Sequence, residues 1–439
     1  MRLIESKRSR SVGLPIGALA EFHEILRSYS VVGVGMFVTS LLQITTLSLL
    51  ARDLPHDVFG QLVMVMAGAR LASGLVVPNV GPIVLGTAAG SWFAGRRREF
   101  ADLFWSLWRL EVLSGVCASF LIGTVTWYVV PLWTPSISPL CASMAAFAPL
   151  ASATSAFAAW LRMHGKFLDL SFRDVIVAAF RLCVIFLAPI FALPHSAILA
   201  LWFAAELVGL LFLASRFESL RRAMYLPGPR AAPPLDRRHF VLAYRCHSWA
   251  VMRLSTLELD TLIIGLVVSD TAAGVVRMAK QWALLVNRIA EVKEQVIFPR
   301  LAEAHELHGQ LGVKRLERIT FIAGVSLVSA ILSGWLLVDR FVIGLLLPNA
   351  VPELAAAVRI QMLACSFYLV GVTHVPWLLL AKRENDYTLI LFVASTLFFV
   401  TLLMSAPVLG ALAAPVSHLL FNVVWFLWTA LVLSHPARQ

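Results

Sequence analysis

The chain has 439 residues, of which 59% are hydrophobic and only 14% charged, against roughly a quarter charged in an ordinary soluble domain. Its mean hydropathy of +0.82, with apolar runs from end to end, leaves no stretch for a separate water-soluble catalytic domain. At about 20 residues per crossing of a hydrocarbon core of about 30 Å, about twelve spans consume most of the sequence. The expected fold class is therefore an all-α polytopic membrane protein.

In chain order, segment 16–29 comes first, with Ile16, Leu19, Phe22, Ile25 and Leu26 at helical spacing and Glu21, Glu24 and Arg27 between them. It reads as an amphipathic helix lying on the inner surface, and it lacks the apolar core of a cleavable signal. Apolar runs then predict spans at 29–51, 60–86, 103–131, 138–161, 174–193, 197–215, 241–268, 272–298, 319–338, 355–381, 387–405 and 409–434. The Pro- and Arg-rich stretch 216–240 divides them, so that 1–215 is an N-terminal six-helix lobe, 216–240 a basic cytoplasmic linker and 241–439 a C-terminal six-helix lobe. In each half the second helix opens on a glycine after a short polar turn, Gly60 and Gly274. Two parallel repeats of this kind, facing each other across a central cavity, form a transporter architecture.

The net charge of +11 needs no nucleic acid to explain it. Basic residues gather in 1–30, 96–98, 162–173, 216–245, 300–318 and 382–383 and at Arg438, whereas the opposite loops hold only Arg52 and Arg340. Cytoplasmic loops collect Lys and Arg, which predicts that both termini are cytoplasmic. Cys117, Cys141, Cys183, Cys246 and Cys365 show neither a disulfide framework nor metal spacing. There is no phosphate-cradling glycine loop, no HExxH pair and no ligand-spaced histidine. No metal, no cofactor and no enzymatic role are expected.

The informative residues are the charges inside spans, each costing about 2.5–3.5 kcal/mol at a helix centre unless it faces a bundle interior or water. On the eighth span Arg277, Lys280, Gln281, Asn287, Arg288 and Glu291 share one face, a stripe expected to line a cavity. From a rise of about 1.5 Å per residue, Arg70 lies near the midplane, while Asp260 and Lys280 lie at matching depth on adjacent helices and are expected to pair. Arg253, Thr256 and Asp260 share a face of the seventh span, and Glu258 points elsewhere. Arg70 has no acid in its own helix and most needs a partner or a ligand. A mostly cationic cavity suits an anion, since arginine grips phosphate through a planar fork and lysine as a point charge. Arg70, Arg253, Lys280 and Arg288 are the candidate phosphate ligands, with Arg277 a further one nearer the outer mouth. Asp260, Glu206 and Asp174 are candidates for ion coupling or for counter-ions. Gly74, Pro78, Gly81 and Pro82 mark a candidate bending point in the second span.

The segments LLARDLPHDVFGQLVMV at 49–65, ELDTLIIGLVVSDTAAGVVRMAKQW and QVIFPRLAEAH within 258–305, and PWLLLAKRENDYTLIL at 376–391 carry a family resemblance. The chain resembles the polysaccharide flippases of the multidrug/oligosaccharidyl-lipid/polysaccharide exporter superfamily, the Wzx-type O-antigen translocases. It departs from them at Val276, where the family has an aromatic residue, and at Gln281, where it has an arginine that Lys280 replaces one position earlier. The resemblance implies a bacterial inner-membrane protein that moves an undecaprenyl-diphosphate-linked oligosaccharide between leaflets by alternating access, for O-antigen, capsule or exopolysaccharide synthesis. Its partners would be that lipid-linked oligosaccharide and membrane lipids, with loop 216–240 a candidate contact for a polymerase or glycosyltransferase. The rival reading is a multidrug exporter of the same superfamily. Cation exporters call for acid-dominated cavities, and here bases outnumber acids.

Overall fold

The computed structural model describes residues 16–88, 91–92, 95–133, 138–226, 228, 236–346, 352–381 and 383–434, and all regular structure among them is helical. The sequence opens with α1 (Ile16–Asp53) and α2 (His56–Val76), then a short turn α3 (Gly81–Ile83) that runs on as a π-turn (Val84–Ala88). Next come α4 (Arg97–Trp133), α5 (Pro139–Ser143), a 3-10 turn, α6 (Phe147–Ser152), α7 (Ser155–Met163), α8 (Phe167–Ile190) and α9 (His195–Ala223). The second half holds α10 (Arg237–Val267), α11 (Asp270–Leu346), α12 (Glu353–Gly371), α13 (His374–Leu380), α14 (Glu384–Leu409), a second 3-10 turn and α15 (Ala413–Ser434).

Helices before residue 224 pack among themselves, as do those after 236; the halves meet chiefly where α2 lies against α10 and α11 and where α1 lies against α11. Eight stretches of the described helices are long and apolar enough to cross a bilayer. Side chains such as Phe120, Leu337, Met404 and Val408 lie exposed on them, which suits an apolar solvent. The helices outside that set include α8, α10 and the first arm of α11, each with too many charges to qualify. Those same helices carry the polar interior described below.

The structure corrects three expectations. Segment 16–29 is not a separate surface helix but the start of one continuous α1. Gly17, Gly33 and Gly35 are its only glycines and it holds no proline, and a helical glycine costs only about 1 kcal/mol. The stretch 216–240 is helical up to Ala223 and again from Arg237, so the break is shorter than expected. Basic residues 300–318 lie within α11 rather than in a loop. This segment, rich in Leu, Ala, Glu and Arg, continues the helix except at Gly309, whose φ of 59° and ψ of −150° make an elbow that favours glycine. The basic N-terminal residues 1–15, Arg230 and Arg438 lie outside the described residues.

The two glycines that echo each other in sequence meet in space. A Cβ on Gly60 would fall 1.9 Å from the Asp270 carbonyl oxygen, and one on Gly274 would fall 2.9 Å from the Phe59 ring. The turns opening α2 and α11 thus press backbone to backbone, and Gln61 Nε2 donates to Asp270 Oδ2 at 3.0 Å.

Among the described residues three passes are broken, and each break frees backbone groups that hydrocarbon cannot satisfy. Between α6 and α7, the Ser155 and Ala156 amides donate to Glu111 on α4, at 2.7 and 3.2 Å. Between α2 and α3, at Pro78–Asn79, the Val80 and Gly81 amides donate to Ser155 Oγ at 3.0 and 3.2 Å. Where α12 gives way to α13, Lys293 Nζ of α11 donates to the Leu369 and Val370 carbonyls at 3.0 and 3.1 Å.

Gly60→Ala is expected to cost on the order of 1–3 kcal/mol through overpacking at the meeting of the halves. It should lower the thermal midpoint of the purified protein, while Gly334→Ala, whose Cβ would meet nothing within 4 Å, should not. Glu111→Ala should orphan two buried amides at about 1–3 kcal/mol each. The yield of folded, membrane-inserted protein should fall, which fluorescence-detected size exclusion would read directly.

Candidate functional site

A polar chamber of about 600 Å³ lies between the halves. Its walls are the two broken passes of the N-terminal half, the inner faces of α8 and α9, and α10 from the other half. The breaks are what open it: Pro78, Asn79, Gly81, Ser152, Thr154 and Ser155 all line it. Four ionisable groups of permanent charge face it, the bases Arg70, Arg162 and Arg173 and the acid Glu206.

Each of these cations is held differently. Arg70, whose side chain is 36% exposed, reaches Glu258 of α10 at 3.5 Å and so joins α2 to the other half. Glu258 is shared: its other oxygen accepts from buried Arg277 Nη1 at 3.0 Å. Arg173 lies 2.9 Å from Asp174 and 3.6 Å from Glu206. The remaining Glu206 oxygen accepts from Arg181 at 2.5 Å, and that guanidinium lies 4.4 Å over the Trp202 ring. The side chain of Arg162, in the last turn of α7, forms no hydrogen bond or ion pair among the described residues. Two glutamates thus each serve two arginines, and Arg162 adds an unpaired positive charge. Arginine's weak hydration and rigid donor fork suit it to such a wall.

A second, smaller cavity of about 100 Å³ lies inside the C-terminal half, among Arg253, Asn287, Glu291, Gln361, Tyr368 and His418. Arg253 Nη2 donates to the Tyr368 hydroxyl at 2.6 Å, and its guanidinium lies 4.9 Å over that ring. Against this cavity sits a buried triad. Asp260, with no exposed surface, takes Lys280 Nζ at 2.6 Å on one oxygen and faces His418 Nε2 at 3.0 Å on the other. Lys280 Nζ also donates to Thr261 Oγ1 at 2.7 Å and to the Leu257 carbonyl. All three ammonium protons therefore have acceptors.

The expected pairing of Lys280 with Asp260 is present. The five bases expected to act together are instead distributed. Arg70 lines the central chamber, Arg277 stands behind it on Glu258, and Lys280 is held in the triad. Arg253 lies in the smaller cavity, and Arg288 bonds to Glu291 one turn along its own helix at 2.7 Å. Of the three acids, Glu206 and Asp174 hold arginines and Asp260 holds Lys280. Glu258, which the helical wheel turned away from the site, is the acid that bridges the halves. Arg162 and Arg173 bound the basic stretch 162–173 that the sequence assigns to a cytoplasmic loop. The signal for Arg173 was its adjacent Asp174. Among the described residues, no group of three or more His, Cys, Asp or Glu side chains is arranged to hold a metal ion.

Comparison with known proteins agrees with this layout. Over 93% of its length the chain is similar to an outward-facing multidrug resistance MATE family transporter of the MOP superfamily, covering 95% of that chain with a TM-score of 0.65 and 15% identity. It is similar over 92% of its length to the lipid II flippase MurJ in an inward closed conformation, covering 87% of that chain with a TM-score of 0.63 and 12% identity. A MOP superfamily transporter from Pyrococcus furiosus, described as having a binding pocket of reverse polarity, matches 93% of this chain and 95% of its own, with a TM-score of 0.64 and 14% identity. At these identities the likeness is one of fold. No curated protein matches the sequence. The family model described as polysaccharide biosynthesis protein matches residues 96–350. With more than half of its length inside that match, the chain belongs to the polysaccharide biosynthesis protein family, built on the fold of the MOP-superfamily transporters.

Proposed function

We propose that the protein is a flippase that carries an undecaprenyl-diphosphate-linked oligosaccharide across the bacterial inner membrane, for the assembly of a cell-surface polysaccharide. The observation that carries this reading is the excess of arginine over carboxylate on the wall of the chamber between the halves. A diphosphate bears charge that only cations can hold inside a bilayer, and guanidinium groups bind it through paired hydrogen bonds. Arg70, Arg162 and Arg173 are the headgroup ligands in this reading. Arg277 and Arg181 hold the shared glutamates in place behind them. The sugars occupy the polar remainder of the chamber, and the polyprenyl tail stays in the lipid.

Orientation follows from charge. With the basic loops and both termini in the cytoplasm, the tight Gly60–Asp270 contact faces outward. The chamber then occupies the inner half of the bundle, ready to receive a substrate made on the cytoplasmic side. Alternating access requires the halves to part at that outer contact and close below Arg70. The Arg70–Glu258 pair spans the same interface, so a phosphate that competes for Arg70 weakens a link between the halves. A polymerase or glycosyltransferase would meet the protein along 216–240, whose basicity equally suits anionic lipid.

The test is export in cells lacking the native gene and complemented with variants. Arg70→Ala and Arg162→Ala should each lower surface polysaccharide, with lipid-linked oligosaccharide accumulating on the cytoplasmic leaflet. A lost charged hydrogen bond of about 1.5–3 kcal/mol corresponds to roughly tenfold or more in affinity. Arg288→Ala, whose partner sits on its own helix, should export normally. Full export by the Arg70→Ala/Arg162→Ala double variant would remove the charge clamp. Drug sensitivity on deletion with normal surface glycan would assign the protein to small-molecule export instead.

A further inference from the structure

The triad in the C-terminal half contains a titratable group that the central chamber does not use. His418, on α15, lies within the smaller cavity's wall, and its ring meets Phe398 edge-on at a centroid distance of 4.8 Å. Its Nε2 faces a carboxylate oxygen at 3.0 Å. A carboxylate accepts, so Nε2 carries the hydrogen and Nδ1 is the basic atom of the neutral ring. A cavity of about 100 Å³ lined by Arg253, Glu291, Tyr368, Tyr387 and Asn422 is roomy and polar enough for several waters.

The charged and titratable groups packed about His418 come from four helices. They are Arg253 and Asp260 of α10, Lys280 and Glu291 of α11, Cys365 and Tyr368 of α12, and Tyr387 of α14. Asp260 is the only acid in contact with the ring among the described residues, and its single negative charge already neutralises Lys280. Lys280 is 9% exposed and fully spent on Asp260, Thr261 and Leu257, so in this state it offers nothing to a ligand.

We propose that His418 is a proton-binding site that decides whether Lys280 is tied to Asp260 or released into the interior. Uptake of a proton at Nδ1 forms one N–H bond, with the proton supplied by cavity water, and leaves two cations on one buried carboxylate. The repulsion is large where solvent is excluded. The imidazolium is fixed by its ring packing, whereas the lysine ammonium rides on a flexible four-carbon stem. Lys280 is therefore the member that leaves. It shares a helix face with Asn287 and Glu291, which line the cavity, and it swings along that face. Loss of the proton restores the tether. The sign is definite: low pH frees Lys280 and high pH holds it. The link to transport, an added cation for an anionic substrate, rests on the function proposed above; the exposure of Lys280 does not.

The experiment uses the full chain in lipid nanodiscs and a water-soluble amine-acylating reagent, with labelling of Lys280 read by mass spectrometry relative to exposed Lys166. As pH falls from about 8 to about 5.5, across the range in which histidines ionise, the Lys280/Lys166 ratio should rise roughly threefold or more. Acid lowers the reactivity of every amine, and by different factors for amines in different surroundings, so the relative rise counts for the proposal only where His418→Gln abolishes it. A flat or falling ratio in the unaltered protein overturns the proposal. So does a rise that persists in His418→Gln, which keeps a donor to Asp260 and takes up no proton. If that variant does not accumulate, His418→Asn serves in its place, and the unaltered protein's profile remains decisive against the proposal. A pH-dependent Lys280 in a protein that moves no glycolipid would support the proton site and defeat the transport reading alone.

Discussion

A hydrocarbon slab accepts neither an unpaired charge nor an unpaired peptide group, and this constraint orders the bundle. Each polar interruption is met by a side chain from another helix. Glu111 takes the amides freed above α7, Ser155 those freed above α3, and Lys293 the carbonyls freed at the end of α12. Glu258 and Glu206 each gather two arginines from different helices. Buried pairs of this sort contribute little net stability, because desolvation offsets most of the Coulomb gain, but breaking one is expensive. Their effect is to fix how each helix is rotated and which neighbour it faces.

That division of labour explains how much of the molecule could be read from the sequence. Long apolar runs locate helices, because length and hydropathy are local properties. The match of Lys280 to Asp260 was also accessible, since two adjacent antiparallel helices share a depth scale that counting residues recovers. Glu258 was not, because a helical wheel drawn for α10 alone cannot show that Arg70 approaches from the opposite half. Glu111 and His418 left no periodic signal at all. Each has few polar neighbours to mark it out, and their partners lie 44 and 158 residues away. Arg162 was hidden by its surroundings: a base near a helix end beside Lys166 looks like part of a cytoplasmic loop, although the break in its own pass carries it to the chamber wall.

The chamber is built from irregular backbone, and that is economical in a membrane. The breaks at 77–80 and 152–155 create width without adding a loop, and each is sealed by the polar group of the next. Ser155 is a donor to one acceptor set and an acceptor for another, so the two broken passes form one connected unit. A rigid N-terminal wall of this kind, lined with arginine, differs in character from the C-terminal half. There the ionisable groups are tied to one another around a small cavity. The two halves share a fold plan but not a chemistry.

The elbow at Gly309 gives α11 a mechanical role. Its two arms are joined by a single left-handed residue rather than by a slack connection, so the chain offers no length to absorb a shift of one arm against the other. The first arm carries Arg277, Lys280 and Lys293; the second carries Asp339, which holds Arg359 of α12. Any tilt of the first arm is geared to the second and through it to α12. The C-terminal half is thereby a jointed lever, with a pivot that tolerates almost no residue but glycine.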